Sequence, residues 1–173
     1  MRTTLKLIAL FAITVMIFSC KKSSNSSSGY YFKGTYDGTP KTFNTAVTAS
    51  KTNLGSGIYS LTIVGATTAE ESAIVLWSDQ DNFTAGSTYT ITPTGVDTYN
   101  SLSYVSPLGS SAPSSIWNTS YDYGVVDQSF SCTITEVTSS YIKGTFSGVL
   151  YMNTDSAVVT KAVSGGQFYA KFF

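Results

Sequence analysis

The chain has 173 residues, a formal net charge of zero and no histidine, and charged residues make up 12% of it. The usual charged share is roughly twice that value. The balanced charge provides no basic stripe of the kind that nucleic-acid binding requires, so no nucleic-acid partner is expected. The absence of histidine excludes a Ser-His-Asp or Cys-His catalytic group and imidazole ligands for a metal, and the composition indicates no cofactor.

Residues 1–19 have the form of a secretory leader, with basic residues before an apolar stretch at 7–18. That stretch is shorter than the roughly twenty residues needed to span a bilayer. The four residues 17–20 resemble the lipobox of bacterial lipoproteins, in which the final cysteine, here Cys20, is acylated and becomes the first residue of the mature protein. The resemblance implies that residues 1–19 are removed and that acyl chains hold the protein on a membrane without spanning it. The alternative is an ordinary leader that is cut elsewhere.

Residues 20–29 form a polar, serine-rich tether, and we expect it to be flexible because it has nothing to bury. Lys21 occupies the position where an aspartate marks inner-membrane retention in lipoprotein sorting. The resemblance therefore favours the outer membrane of the cell envelope, with the periplasmic leaflet and the cell surface left as alternatives.

Residues 30–173 form short alternating runs that are separated by turn residues and show no sustained helical period. This pattern predicts a single all-β domain, an antiparallel β-sandwich of roughly nine or ten strands, with a small closed β-barrel as the alternative. Asp37-Gly38 and Gly165-Gly166 are among the turn sequences that favour positive φ. The predicted strands cover 30–36, 41–48, 58–65, 72–78, 88–92, 101–105, 128–136, 141–152, 157–163 and 166–172.

Two similar octets, 31–38 and 141–148, share five identical residues. In each octet glycine, an aromatic residue and glycine occupy alternate positions, as at Gly144, Phe146 and Gly148. Such a strand is expected to bend across a closely packed neighbour, with a ring between two positions that lack side chains. A ligand platform is the alternative interpretation.

Strand 72–78 is apolar on both faces, which predicts a central strand that is covered on both sides. Cys132 is the cysteine that remains once the acylated Cys20 is set aside, and alternation places it on the same face as Phe130 and Ile134. We expect a buried apolar side chain there, with a reactive thiol or an intermolecular disulfide as the alternative.

Segment 106–124 is the longest stretch without a predicted strand, and long loops in compact domains are often functional. It carries Trp117, Tyr121 and Tyr123, whose flat rings can stack on sugars or on a partner surface. These three residues are the ligand-binding candidates. The alternative is that the rings close one end of the core.

Acidic and hydroxyl side chains offer weaker candidates. Asp79 and Asp81 form a candidate calcium loop, although the glycine and glutamate that an EF-hand requires are missing. Ser156 lies in a short sequence that resembles the O-glycosylation acceptor of Bacteroidota. Paired carboxylates are the remaining route to catalysis, since glycoside hydrolysis uses two acids around a cleft.

Several strand-and-turn segments resemble those of small Bacteroidota lipoproteins, in which a lipobox precedes one all-β domain. The resemblance to that family implies no catalytic residue for this chain. The segments span most of the mature chain, at 36–43, 86–91, 143–148 and 165–168.

The sequence as a whole predicts a membrane-anchored envelope lipoprotein that acts as a non-catalytic binding or interaction module. Its expected partners are the membrane, through the acyl chains, and a glycan or another envelope protein. A carbohydrate-active hydrolase with paired carboxylates and a structural subunit of an envelope complex are the alternatives.

Overall fold

The computed structural model describes residues 29–91, 100–108, 115–119, 129–153 and 157–173. Within these ranges the regular structure is entirely β, which confirms the all-β prediction, and no helix there is long and apolar enough to cross a bilayer. The strands are β1 (Tyr31–Tyr36), β2 (Thr39–Phe43), β3 (Ala46–Gly55), β4 (Ile58–Ala66), β5 (Glu71–Ser78), β6 (Thr88–Ile91), β7 (Ser101–Ser106), β8 (Ser115–Asn118), β9 (Phe130–Val137), β10 (Tyr141–Asn153) and β11 (Val158–Phe172).

The strands form two antiparallel layers that face each other like a sandwich. The six-stranded layer has the order β2-β1-β11-β10-β9-β6, and the five-stranded layer has the order β3-β4-β5-β7-β8. Two corner pairings join the layers into one hydrogen-bonded sheet. β11 runs parallel to β3 at Lys171 and Phe172, and β10 meets β8 at Tyr151. The sandwich-like prediction is therefore confirmed, with one parallel pairing at a corner.

Three predicted strand boundaries were wrong. The run 41–48 is divided between β2 and β3, which belong to opposite layers, because the chain crosses over after Phe43. The runs 157–163 and 166–172 form a single strand, β11, because Gly165 (φ 58°) lies in a bulge and not in a hairpin turn. Segment 106–124 contains the short strand β8, which bridges the layers. Bulges and turns both contain residues with positive φ, so local sequence does not distinguish the two.

Glycines make room for aromatic rings where the strands pack most closely. A Cβ at Gly144 would lie 2.3 Å from Cζ of Phe168 and 2.5 Å from the carbonyl oxygen of Thr133. A Cβ at Gly166 would lie 2.6 Å from Cδ2 of Phe146, its cross-strand partner. These contacts agree with the packing interpretation of the second octet, since each ring covers a position without a side chain.

The same relation holds between the layers. A Cβ at Gly65 on β4 would lie 2.3 Å from Cβ of Phe32 on β1, so the absence of a side chain lets the two layers approach. The ring of Phe32 then packs against Phe146, with the centroids 4.7 Å apart, and both side chains are buried. The centre of the core is consequently aromatic.

A buried hydrogen-bond chain also connects the layers. The hydroxyls of Tyr36 on β1 and Ser72 on β5 are 2.8 Å apart, and Ser72 Oγ donates to the carbonyl oxygen of Ser103, also at 2.8 Å. Burial raises the pKa of Tyr36 well above its ordinary value. The Tyr36 hydroxyl therefore stays neutral and keeps its hydrogen bond at all ordinary pH values.

Strand β5 occupies the middle of its layer, as predicted. Ile74 and Leu76 point into the core and are fully buried. Ala73, Val75 and Trp77 lie on the outer face and are half-buried.

We expect Gly144→Ala to lower the free energy of unfolding by about 1–3 kcal/mol, because the added methyl group overpacks the site between a ring and a backbone carbonyl. Urea denaturation of the variant and of Gly29→Ala would measure this effect. No heavy atom lies within 4 Å of a Cβ at Gly29. Equal stability of the two variants would contradict the proposed role of Gly144.

Candidate functional site

A shallow groove lined by hydroxyl groups crosses the outer face of the six-stranded layer, and we call it the hydroxyl groove. It consists of two adjoining depressions of about 540 and 280 Å³ that share Ser131 and Ser147. Its outward-facing polar side chains are Thr90, Ser131, Thr133, Thr145, Ser147 and Gln167. Its lining also includes the apolar residues Ile91, Phe130, Phe146 and Val163.

Strand alternation and register bring these side chains together. Residues two apart on a strand share a face, and cross-strand partners lie side by side. One row runs through Thr88, Thr133, Thr145 and Gln167, and the hydroxyls of Thr88 and Thr133 are 2.9 Å apart. A second row runs through Thr90, Ser131 and Ser147.

Missing side chains and uncharged lining residues define the character of the groove. Gly148, Gly165 and Gly166 contribute only backbone to its walls. Among the described residues that line it, none carries an ionisable side chain. The groove therefore suits a neutral ligand that exchanges hydrogen bonds with hydroxyl and amide groups. The part of the lining that the structure describes provides no carboxylate pair of the kind that glycoside hydrolysis requires.

Four tyrosines form a cluster on the same layer, beside the groove: Tyr30, Tyr31, Tyr141 and Tyr169. We call it the tyrosine cluster. Its centre is the Tyr169 ring, whose centroid lies 4.7, 6.1 and 5.1 Å from those of Tyr30, Tyr31 and Tyr141. Tyr169 lies on β11 two residues from Gln167, so the cluster borders one end of the groove.

An ion pair fixes the cluster. Lys143 Nζ lies 4.9 Å from the centroid of Tyr169 and donates to Glu136 Oε2 at 2.6 Å. Tyr141 donates its hydroxyl to the other oxygen of Glu136. Hydrogen bonds from Lys143 and Tyr141 lower the pKa of Glu136, so it is ionised at neutral pH. Two of the four tyrosines are thereby held in place by a lysine and its carboxylate.

The candidate ligand residue Trp117 lies elsewhere, at the end of the sandwich where β1 finishes, which we call the far end. It is on β8, is half-buried and packs against the core. Lys161 Nζ lies 4.6 Å from its ring centroid and 3.4 Å from Asp37 Oδ2. The other two candidates from that segment, Tyr121 and Tyr123, lie outside the described residues.

A second lysine and aromatic pair lies at the far end. Lys41 Nζ contacts the two oxygens of Glu70 at 2.7 and 2.9 Å, and the Tyr104 hydroxyl donates to Glu70 at 2.8 Å. Partial burial opposes ionisation of Glu70, but the hydrogen bonds from Lys41 and Tyr104 outweigh it and lower the pKa of Glu70. The carboxylate thus serves as a fixed anion between the two layers.

The weaker sequence candidates are not brought together. Asp81 pairs with Lys51, and no group of three or more potential metal ligands occurs in the part of the chain that the structure describes. Burial raises the pKa of the fully buried Cys132 to about 12, so its thiol is protonated at neutral pH. Cys20 and Ser156 lie outside the described ranges.

Sequence reasoning missed the hydroxyl groove, although a signal for it was present. Serine and threonine alternate with apolar residues in β6, β9 and β10. This alternation predicts a polar outer face for each strand. That the three faces adjoin depends on strand order, which local sequence does not provide.

Comparison with protein-family models, with curated proteins and with solved structures finds no match to this chain.

The low pKa of Glu70 has a consequence for stability. A carboxyl whose pKa is lower in the folded state stabilises the fold above its unfolded pKa of about 4.3, and this contribution is lost as the pH falls through the folded pKa. We expect Glu70→Gln to lower the free energy of unfolding at pH 7 by about 1 kcal/mol, a value reduced by solvent screening. The loss should shrink toward pH 3.

Urea unfolding of the wild type and of Glu70→Gln at both pH values measures this difference. Asp79→Asn is the matched control, because it removes one carboxylate from an exposed position. If Glu70→Gln and Asp79→Asn had the same pH dependence, the assignment of a stabilising anion to Glu70 would be wrong.

Proposed function

We propose that this protein is a lipid-anchored module of the bacterial envelope that binds a neutral glycan in the hydroxyl groove without catalysis. The observation that carries the proposal is the lining of the groove, which combines hydroxyl, amide and backbone groups with apolar side chains and has no ionisable side chain among the described residues.

The chemistry of the groove matches that of an uncharged sugar. Each serine or threonine hydroxyl both donates and accepts, and the Gln167 amide offers two donors and an acceptor. A sugar presents the same groups, so donors and acceptors can alternate along the contact. Each such bond contributes about 0.5–1.5 kcal/mol, and an open groove with several of them favours weak, reversible binding.

The neighbouring tyrosine cluster supports the same ligand class. Tyrosine combines a flat apolar face with a polar tip, which suits stacking against a sugar ring. Tyr169 and Gln167 are two residues apart on one strand face, about 7 Å. A chain of a few sugars could therefore contact the hydroxyl rows and an aromatic ring together.

Anchoring to the membrane is supported by the amino-terminal sequence. The apolar leader ends at Cys20, and each buried methylene of an acyl chain contributes about 0.8 kcal/mol, so two or three chains hold a protein firmly. Residues 20–29 give a polar tether before the domain. We infer an envelope location, with the outer membrane favoured by Lys21.

Obstruction of the groove tests the binding proposal. We expect Thr145→Arg to reduce glycan binding at least tenfold, because a long charged side chain would fill the space between the hydroxyl rows; a loss of this size corresponds to about 1.4 kcal/mol. Ser50→Arg is the control, since Ser50 is also exposed on a strand but faces outward from the other layer. A glycan array followed by calorimetry on the strongest neutral glycan gives the measurement. Equal binding by the two variants, or no binding by the wild type, would refute the groove as a glycan site.

Metabolic labelling with a fatty-acid analogue tests the anchor. We expect label in the wild-type protein and none in Cys20→Ala, which should also leave the membrane fraction. Cys132→Ala serves as the control, because it removes a thiol that is buried in the core. Label retained by Cys20→Ala would show that acylation, if any, occurs elsewhere.

A further inference from the structure

We propose that the β3–β4 hairpin inserts its tip into the lipid surface to which the protein is anchored, and so sets the orientation of the domain. This inference rests on the proposed lipid anchor. The tip is the segment 53–59. The region that it enters is the headgroup and upper acyl region of a bilayer.

The hairpin projects from the end of the sandwich at which the chain enters, which we call the near end. β1 begins there, because Tyr31 pairs with Tyr169 close to the end of β11. β3 runs parallel to β11, and Ala49 pairs with Phe172, the last residue of β11. β3 continues to Gly55 before the chain turns, and β4 and β5 run beside it as far as the pair of Tyr59 and Ser78. The part of the hairpin that extends beyond its neighbouring strands is therefore the turn at 54–58.

The composition of the projecting segment fits a lipid interface. Leu54 and Ile58 flank the turn and are 47% and 37% exposed. From residue 52 to residue 59 the hairpin carries no charge, while Lys51 and Tyr59 lie where each strand leaves the tip. An apolar tip followed by tyrosine and lysine is the arrangement that membrane interfaces favour, and Lys51 is paired there with Asp81.

Further apolar surface lies at the same end. Phe173 follows β11, is 92% exposed and donates its backbone N–H to the carbonyl oxygen of Ala49. Tyr30 and Tyr31 of the tyrosine cluster begin the domain there. Ile116 and Val158 are also exposed, but both lie toward the far end.

The length of the tether permits this contact. Ten residues, 20–29, lie between Cys20 and the domain, and a polar, serine-rich sequence of this length predicts a root-mean-square reach of about 17 Å. That reach exceeds the length of the turn at 54–58. When the near end faces the membrane, the tip and the acylated cysteine can therefore reach the same lipid surface without stretching the tether.

Depth-dependent fluorescence tests the inference on the full lipidated protein. An environment-sensitive probe would be attached to Ser56→Cys at the turn or, as control, to Thr39→Cys at the far end, and each protein would be reconstituted into phosphatidylcholine vesicles with phosphatidylglycerol. We expect a blue shift and several-fold stronger quenching by spin-labelled acyl chains for the probe at 56. Leu54→Ser combined with Ile58→Ser should reduce that quenching toward the level at 39.

Each outcome separates the two proposals. Vesicle-bound protein whose probes at 56 and 39 are quenched equally would overturn hairpin insertion and leave the anchor intact. Protein that fails to associate with vesicles would overturn the anchor and, with it, the inference. The probe at 56 could also be shielded in detergent as well as in vesicles, with a doubled molecular mass. That outcome would show that the tip contacts a second copy of the chain and not the lipid.

Discussion

The structure depends on the packing of aromatic rings over glycines. Phe168 covers Gly144, Phe146 covers Gly166, and Phe32 occupies the space over Gly65 between the layers. Protein interiors are packed as densely as organic crystals, so a single methyl group at these positions has no space. With no disulfide among the described residues, the fold relies on this close contact between layers and on the aromatic core that it creates.

The glycines that admit rings on the inner face also shape the outer face. Gly165 and Gly166 form the bulge of β11 opposite β1, and the same residues leave the wall of the hydroxyl groove without side chains. Packing of the core and formation of a surface depression are thus two consequences of one local feature. The threonine and serine rows then place hydroxyl groups along the depression, beside the apolar side chains that also line it.

Two carboxylates at the far end are paired with lysines. Glu70 pairs with Lys41 and Asp37 with Lys161 at the far end, each lysine lying over an aromatic ring. Each of these carboxylates is consequently paired with a lysine. A binding face that relies on hydroxyl hydrogen bonds is compatible with this arrangement, since it requires no buried unpaired charge.

The sequence by itself determined the class of the fold, most strand positions, the burial of Cys132 and the interpretation of the second octet as packing, because alternation and glycine placement are local properties. The support for a lipid anchor at Cys20 likewise comes from the sequence alone. Only the tertiary structure decided that β2 and β3 lie in opposite layers, that β11 is one bulged strand and that Trp117 is half-buried beneath Lys161. The hydroxyl groove and the projecting hairpin likewise depend on which strands become neighbours. Strand order is set by contacts between residues far apart in the chain, and no local pattern contains that information.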